Sequence, residues 1–263
     1  MPFIERQRQR IFYEETGTGP AIVLGHSFLC SGEMWENQVP VLAESCRVIN
    51  IDYRGHGKSS TIESDFTVYD LVDDTTAILD ELGIEQAIWA GLSTGGFVAL
   101  RAALATPERV RAIIVADASA DAEPFYPKFK YRTLGLGARL VGLRPFVPAV
   151  APIMFGQTTL NENRGLVDEW IPTLLSMELP SILRFLEAIV TRDSLLEQLS
   201  EIRVPALILV GEEDRGQPVF RAQQTADGIS GSHLEIIPKA GHLSALEQPE
   251  AFNQAVLAFL KDL

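Results

Sequence analysis

The sequence predicts an α/β protein: a mostly parallel sheet with helices on both faces and a helical insertion. Three observations carry this. Short apolar runs of strand length alternate with segments of helical spacing. The alternation breaks once, from about residue 120 to about residue 196. Gly91-Leu92-Ser93-Thr94-Gly95 stands between an apolar run and a helix-like run, which puts a serine on a sharp strand-to-helix turn.

The elements follow in order. Residues 10–16 read as a strand that ends at the turn cluster Gly17-Thr18-Gly19-Pro20. Ala21-Ile22-Val23-Leu24 and Arg47-Val48-Ile49-Asn50-Ile51 are apolar runs of the kind buried on both faces of a parallel sheet. Tyr53-Arg54-Gly55-His56-Gly57 is a loop. Between Val68 and Leu82 the apolar residues fall near helical spacing, and Gly83 stops the run. Gln86–Ala90 is the strand before Ser93, and Gly96–Ala105 the helix after it. Val110–Ala116 is the next strand. Residues 120–196 then show helical spacing broken by Pro145, Pro148, Pro152, Pro172 and Pro180, with no strand-like run. Strands resume at Ala206–Val210 and His233–Ile237, and a closing helix starts near Pro249. The expected organisation is a core of residues 1–119 and 197–263 with a helical insertion at 120–196 that sits on the sheet.

Composition excludes several function classes. A hydrophobic content of 46% and a charged content of 22% describe an ordinary globular chain. The net charge of −13 argues against nucleic acid or an anionic membrane as partner. Neither a signal-peptide pattern nor a run of about 18 apolar residues is present, so a cytoplasmic location is expected. Cys30 and Cys46 have neither zinc-ligand nor redox spacing and are expected as buried free thiols. No motif points to a metal or an organic cofactor. The expected partner is a small-molecule substrate, and the expected state a monomer or small homo-oligomer.

A serine hydroxyl becomes a useful nucleophile only when a base removes its proton, so a base and an orienting carboxylate should follow other strands. Of the four histidines, His242 in Lys239-Ala240-Gly241-His242-Leu243 sits past a strand and before the last helix. His26 and His56 also fall near that edge, whereas His233 begins a strand. Gly211-Glu212-Glu213-Asp214 directly follows a strand; Asp214 is the first choice as orienter, with Glu213 and Glu212 behind it, and Asp117, after the strand that precedes the insertion, is the outside candidate. All three positions lie at the carboxyl ends of strands, where open α/β sheets place their sites. The oxyanion of an acyl-transfer intermediate needs donors. The backbone N–H of Thr94 is one, and that of Phe28, or next Ser27, the other.

At this point the chain resembles the α/β-hydrolase superfamily over nearly its whole length. The matching pieces are Gly25-His26-Ser27-Phe28 with Trp35, Asp52 to Ser59, the turn at Ser93, Gly211–Asp214 and Gly241-His242. Ser93, Asp214, His242 is also that superfamily's chain order. The chain looks most like its enol-lactonase and small-esterase branch, and Gly-Xaa-Ser-Thr-Gly-Gly is also similar to cofactor-free haloperoxidases. The resemblance implies a mostly parallel eight-stranded sheet, a helical cap at residues 120–196, a structural role for His56, and a part for His26 in shaping the oxyanion loop.

The implied function is hydrolysis of carboxylic esters of small, largely apolar substrates through an acyl-enzyme. Lactonase, carbon–carbon hydrolase of vinylogous diketones and slow-turnover ligand sensor are the alternatives. Phe28, Phe125, Phe129, Phe155 and Leu243 are the expected substrate contacts. A dicarboxylate lactone would need a cation, for which Arg132, Arg139, Arg144 and Arg164 are available.

Overall fold

The computed structural model describes residues 2–263. Eight strands form one sheet: β1 (Phe3–Arg6), β2 (Gln9–Thr16), β3 (Ala21–Gly25), β4 (Arg47–Asp52), β5 (Ala87–Leu92), β6 (Val110–Ala116), β7 (Ala206–Gly211) and β8 (His233–Ile237). Their order is β1-β2-β4-β3-β5-β6-β7-β8. β1 and β2 run antiparallel, and every pairing from β3/β4 to β7/β8 is parallel.

Outside the strands the chain forms α1 (Val39–Leu42), α2 (Val68–Glu81), α3 (Thr94–Ala105), α4 (Phe125–Val141), α5 (Val147–Met154) and α6 (Gln157–Glu162). These are followed by α7 (Arg164–Ser176), α8 (Leu179–Val190), α9 (Val219–Gly228), α10 (Ser244–Glu247) and α11 (Pro249–Lys261). Helices α4 to α8 all lie between β6 and β7, where the strand–helix alternation breaks in the sequence.

Side chains alternate across a strand with a period of two, and the two faces therefore build two cores. Val23, Ile49, Trp89, Ile113, Val115 and Ile208 pack on one face with Leu71, Ile78, Phe97 and Ala222 of α2, α3 and α9. Ile22, Leu24, Val48, Ile88, Ile114 and Leu209 pack on the other with Trp35, Leu42 and the α11 residues Phe252 and Val256. Because both faces are covered, the central strands read as continuous apolar runs. The edge strand β1 is the element the sequence pattern does not mark. It has only four residues, and it pairs Phe3 with Phe12 and Arg6 with Gln9.

Local chemistry sets the helix ends. Thr67 and Asp70 form a capping box at the start of α2, with the Thr67 N–H donating to the Asp70 carboxylate at 2.8 Å. Within the insertion the prolines do more than break helices. Pro148 and Pro180 stand in the first turns of α5 and α8, where a missing N–H costs nothing, while Pro152 and Pro172 lie inside α5 and α7. Among the described residues no helix is long and apolar enough to cross a membrane. Cys30 and Cys46 are buried free thiols.

Candidate active site

The strand-to-helix turn comes first. β5 ends at Leu92, and α3 begins at Thr94. Ser93 between them has φ 53° and ψ −104°, a conformation that costs a non-glycine residue roughly 1–3 kcal/mol. It is held there by its N–H donating to the Ala116 carbonyl at 2.8 Å and its carbonyl accepting from Phe97 N–H at 3.0 Å. The turn also needs its flanking glycines. A Cβ at Gly95 would stand 2.1 Å from the Gly25 carbonyl oxygen, and one at Gly91 2.3 Å from the Gly95 carbonyl carbon.

The loops after β7 and β8 bring the other two groups. His242 Nε2 lies 2.9 Å from Ser93 Oγ, and His242 Nδ1 lies 2.8 Å from Asp214 Oδ2. The second carboxylate oxygen of Asp214 accepts from the backbone N–H groups of Gly216 and Gln217 at 2.7 and 2.9 Å. All three side chains are buried. Burial alone would lower the His242 pKa, but the Asp214 charge and hydrogen bond, with Asp117 and Glu247 further off, outweigh it and raise the pKa to about 9. Since carboxylate oxygens only accept, Nδ1 carries a proton and Nε2 is the nitrogen free to take one from Ser93.

The alternative carboxylates are occupied elsewhere. Asp117, also at positive φ (48°), accepts from Gly211 N–H at 2.7 Å and from the Ser244 hydroxyl at 2.5 Å, so it ties the β7 and β8 loops together without touching His242. Burial and the Asp214 charge raise its pKa. Glu213 accepts from the Thr158 N–H and hydroxyl and reaches the insertion, while Glu212 accepts from Lys239 N–H. Glu247 carries no mark in the sequence pattern. Its buried carboxylate accepts from the N–H groups of Gly241, Leu243 and Gly156 at 2.9, 3.2 and 2.8 Å, which brackets His242 and fixes its loop.

The loop after β3 supplies the remaining donors. His26 Nε2 accepts from Tyr53 N–H at 2.9 Å, so Nδ1 bears the proton and donates to the Ser27 carbonyl at 2.7 Å. Burial lowers the His26 pKa to about 4. In a trans peptide the carbonyl and the following N–H point in opposite directions. Holding the Ser27 carbonyl therefore aims the Phe28 N–H the other way. Ser27 N–H is taken by Met34 Sδ at 3.3 Å, whereas the N–H groups of Phe28 and Thr94 have no partner among the described residues. His56 packs between His26, Phe28 and Phe185, with Nδ1 on the Arg54 carbonyl at 3.2 Å.

Ser93 and His242 open onto a cavity of about 1030 Å³, counted out to the open solvent. Most of its wall is aliphatic and comes from α4, α5, α7 and α8, including Leu134, Val150, Met154, Leu174, Ile182 and Leu186; Phe28 and Phe97 add aromatic surface. Its polar groups besides Ser93 and His242 are Ser27, Glu123, Tyr131, Arg192 and Gln217. Of the expected substrate contacts only Phe28 lines it. Phe125 and Phe129 are 83% and 61% exposed and stack on each other, because they lie on the outer side of α4. Phe155 is buried against Trp170, and Leu243 is buried in the core beside α10. Arg132 and Arg164 are exposed and paired with Glu187 and Asp168. Neither these two nor Arg139 and Arg144 line the cavity, whose cation is Arg192. Helical spacing told that α4 is amphipathic but not which side faces in. Nothing in the sequence around Arg192 distinguishes it from the other arginines of the insertion.

The fold has close counterparts. The model of the alpha/beta hydrolase family matches residues 22–255. The chain belongs to the alpha/beta hydrolase family. It is a hydrolytic enzyme of that class. It is 31% identical over 245 residues to 3-oxoadipate enol-lactonase 2 of Acinetobacter baylyi, covering 92% of this chain and 89% of the relative. A carboxylesterase of Bacillus subtilis is also 31% identical, over 92% of this chain and 80% of the relative. The crystal structure of the enol-lactonase from Burkholderia xenovorans LB400 superposes with a TM-score of 0.92 at 25% identity, over 99% of this chain and 100% of that one. The fold expected from the sequence, and the enol-lactonase and esterase resemblance, agree with these matches.

Proposed function

We propose that this hydrolase cleaves carboxylic esters of small, largely apolar substrates through an acyl-enzyme on Ser93. One observation carries the reading: the hydrogen-bonded chain from Ser93 through His242 to Asp214 ends on an apolar cavity beside two unpaired backbone amides. His242 Nε2 takes the Ser93 proton as Oγ bonds to the substrate carbonyl carbon. The carbonyl π electrons move to oxygen, where the Phe28 and Thr94 N–H groups meet the negative charge. The α3 N-terminus adds a favourable dipole. Collapse of this intermediate expels the alcohol, protonated by His242. Water, deprotonated by the same imidazole, then attacks the acyl-enzyme and frees the acid and Ser93. Asp214 keeps the ring oriented and stabilises its cationic form. Residues 120–196 act as the cap that encloses the acyl chain.

A second reading is favoured by the enol-lactonase relative: the same steps open a lactone, with the alcohol remaining attached to the product. The deciding experiment is hydrolysis of p-nitrophenyl acetate, butyrate and octanoate by the protein and by Ser93→Ala. Turnover above about 1 s⁻¹ that is lost in the variant, with unchanged circular dichroism, supports the ester hydrolase. A burst of one equivalent followed by negligible turnover means acylation without deacylation; it points away from ester hydrolysis and toward a slow-turnover sensor or a carbon–carbon hydrolase, which a panel of lactones and diketones then tests.

A further inference from the structure

A surface helix ordinarily turns one apolar stripe to the core and a polar face to solvent. α4 carries two apolar stripes. Tyr131, Leu134, Gly135 and Ala138 line the cavity that holds Ser93 and His242. Phe125, Phe129, Leu136 and Leu140, spaced by four, seven and four residues, run along the opposite side of a helix about 25 Å long. Tyr126 and Val141 widen that outer stripe at its two ends. These six side chains are between 61% and 83% exposed, and the Phe125 and Phe129 rings stack with centroids 6.5 Å apart. They are six of the nine large apolar side chains exposed among the described residues. A patch gathered on one helix in this way marks a contact surface.

Charge says what the surface fits. The chain's 35 acidic residues outnumber its 22 basic ones, and that total weighs against an anionic partner. The charge is not spread evenly. Residues 124–161 hold Lys128, Lys130, Arg132, Arg139 and Arg144 and neither aspartate nor glutamate. At about 100° per residue, Lys128, Arg132 and Arg139 fall along one border of the outer stripe and Lys130 along the other. Arg132 is paired with Glu187; the other four have no ion-pair partner among the described residues. Glu123, just before the helix, is buried on Arg192. Exposed charges are screened beyond about 8 Å at physiological ionic strength, so a surface approaching α4 meets these cations and not the chain's total.

The occupant must therefore offer an apolar layer and negative charge together. A second copy of the chain seated on the same stripe would set Lys128, Lys130, Arg139 and Arg144 against their own counterparts, and like charges across an interface are costly. An anionic lipid bilayer supplies both requirements: acyl chains just below the headgroups for the rings and leucines, and phosphates for the cations. Long basic side chains bordering an apolar stripe can reach up to those phosphates while their stems stay in the apolar layer.

We propose that α4 is an interfacial helix that docks this protein on an anionic lipid surface, with Phe125, Phe129, Leu136 and Leu140 entering the headgroup boundary and Lys128, Lys130, Arg139 and Arg144 on the lipid phosphates. The protein then lies on the membrane without crossing it. Since the inner side of the same helix lines the cavity, docking sets that cavity about one helix diameter, some 10–12 Å, from the layer in which apolar molecules collect.

The test sediments the full chain with vesicles of phosphatidylcholine alone and of phosphatidylcholine with an equal part of phosphatidylglycerol. Partition onto the anionic vesicles should exceed that onto the neutral ones by about tenfold or more. Phe125→Ser/Phe129→Ser should weaken binding to the anionic vesicles by about tenfold or more, with unchanged circular dichroism. Lys128→Gln/Lys130→Gln should weaken it by a similar factor, whereas Arg8→Gln/Lys261→Gln, the same change of charge on other elements, should leave it within about twofold. Ser93→Ala should bind like the unaltered chain, so failure of the ester hydrolase reading does not touch this one. Several results overturn the proposal: no binding to the anionic vesicles, equal binding to the neutral ones, or binding that the α4 variants leave unchanged. An equal loss in both charge pairs also overturns it, because net charge and not α4 would then govern binding. Sedimentation equilibrium covers the competing occupant. A dimer that Phe125→Ser/Phe129→Ser dissociates, in a protein that ignores vesicles, would give the face to a second copy and overturn the lipid reading.

Discussion

Helices α3 and α4 both border the cavity, yet they are held in opposite ways. α3 buries ten of its twelve residues between β5, β6 and α2, and it starts at a strained serine fixed by hydrogen bonds on both sides. α4 buries only Gly135 and Ala138 of its seventeen residues, and six of the large exposed apolar side chains, Phe125, Tyr126, Phe129, Leu136, Leu140 and Val141, are on it. The positions of Ser93, Asp214 and His242 are thus determined by the core many times over. The wall that meets the substrate is built from elements with far less packing around them. On the proposed mechanism, chemistry and selectivity reside in different parts of the molecule and should respond to different substitutions.

The largest separation between the two regions should come from Asp214→Asn. By analogy with the serine-protease case it should cut kcat by about 10⁴ with little change in fold, because an amide favours the wrong imidazole tautomer. Steady-state kinetics check this, and a loss below about tenfold would remove Asp214 from the orienting role.

Within the insertion itself, Phe185 on α8 is fully buried against Phe28, His56 and Phe66. Phe185→Ala should cost about 3–5 kcal/mol in denaturant unfolding, since it empties a ring-sized space under the cavity. An effect below about 1 kcal/mol would show that the insertion contributes little to the cooperative core.

The core also predicts a pH profile. His242 must be neutral to accept the Ser93 proton, and Asp214 holds its pKa up at about 9. Raising pH therefore removes the inhibiting proton, and kcat/KM should climb by up to about tenfold per unit on the acid side of that pKa. A rate that is flat from about pH 6 to about pH 9 would contradict the raised pKa.

The smallest effect should come from the outer face of α4. Phe125→Ser with Phe129→Ser should change stability by no more than about 0.5 kcal/mol each and leave ester turnover unchanged, because both rings face solvent. A marked rise in KM would instead return these rings to the substrate.

The same division governs what could be read from the sequence. Buried parallel strands are runs such as Ala21–Leu24 and Ala206–Val210, and the close approach of Gly95 to Gly25 leaves a glycine signature around Ser93. Asp214 was legible because it closely follows such a run, and His242 because it is the histidine that lies past a strand and before the last helix. β1 was not, because four residues at a sheet edge carry too little alternation. Glu247 and Arg192 were not, because their roles depend on which backbone amides or cavity wall the fold brings beside them. For the aromatic residues of the insertion, spacing marked an amphipathic helix, and only tertiary packing told that Phe185 turns inward and Phe129 outward.

His26 grips the Ser27 carbonyl from behind, and this has a consequence for reshaping the enzyme. The Ser27 carbonyl accepts from the buried His26 ring and from the Cys30 N–H at 3.2 Å, so the aim of the Phe28 amide does not depend on the Phe28 ring, which lines the cavity. Position 28 can therefore be randomised in a selectivity library without re-aiming its own N–H, whereas position 26 should be left alone. With a pKa of about 4, His26 stays uncharged throughout the range in which His242 titrates. Selection at alkaline or mildly acidic pH would then act on the proposed base and the cavity wall, with the Phe28 amide, the proposed oxyanion donor, a constant background.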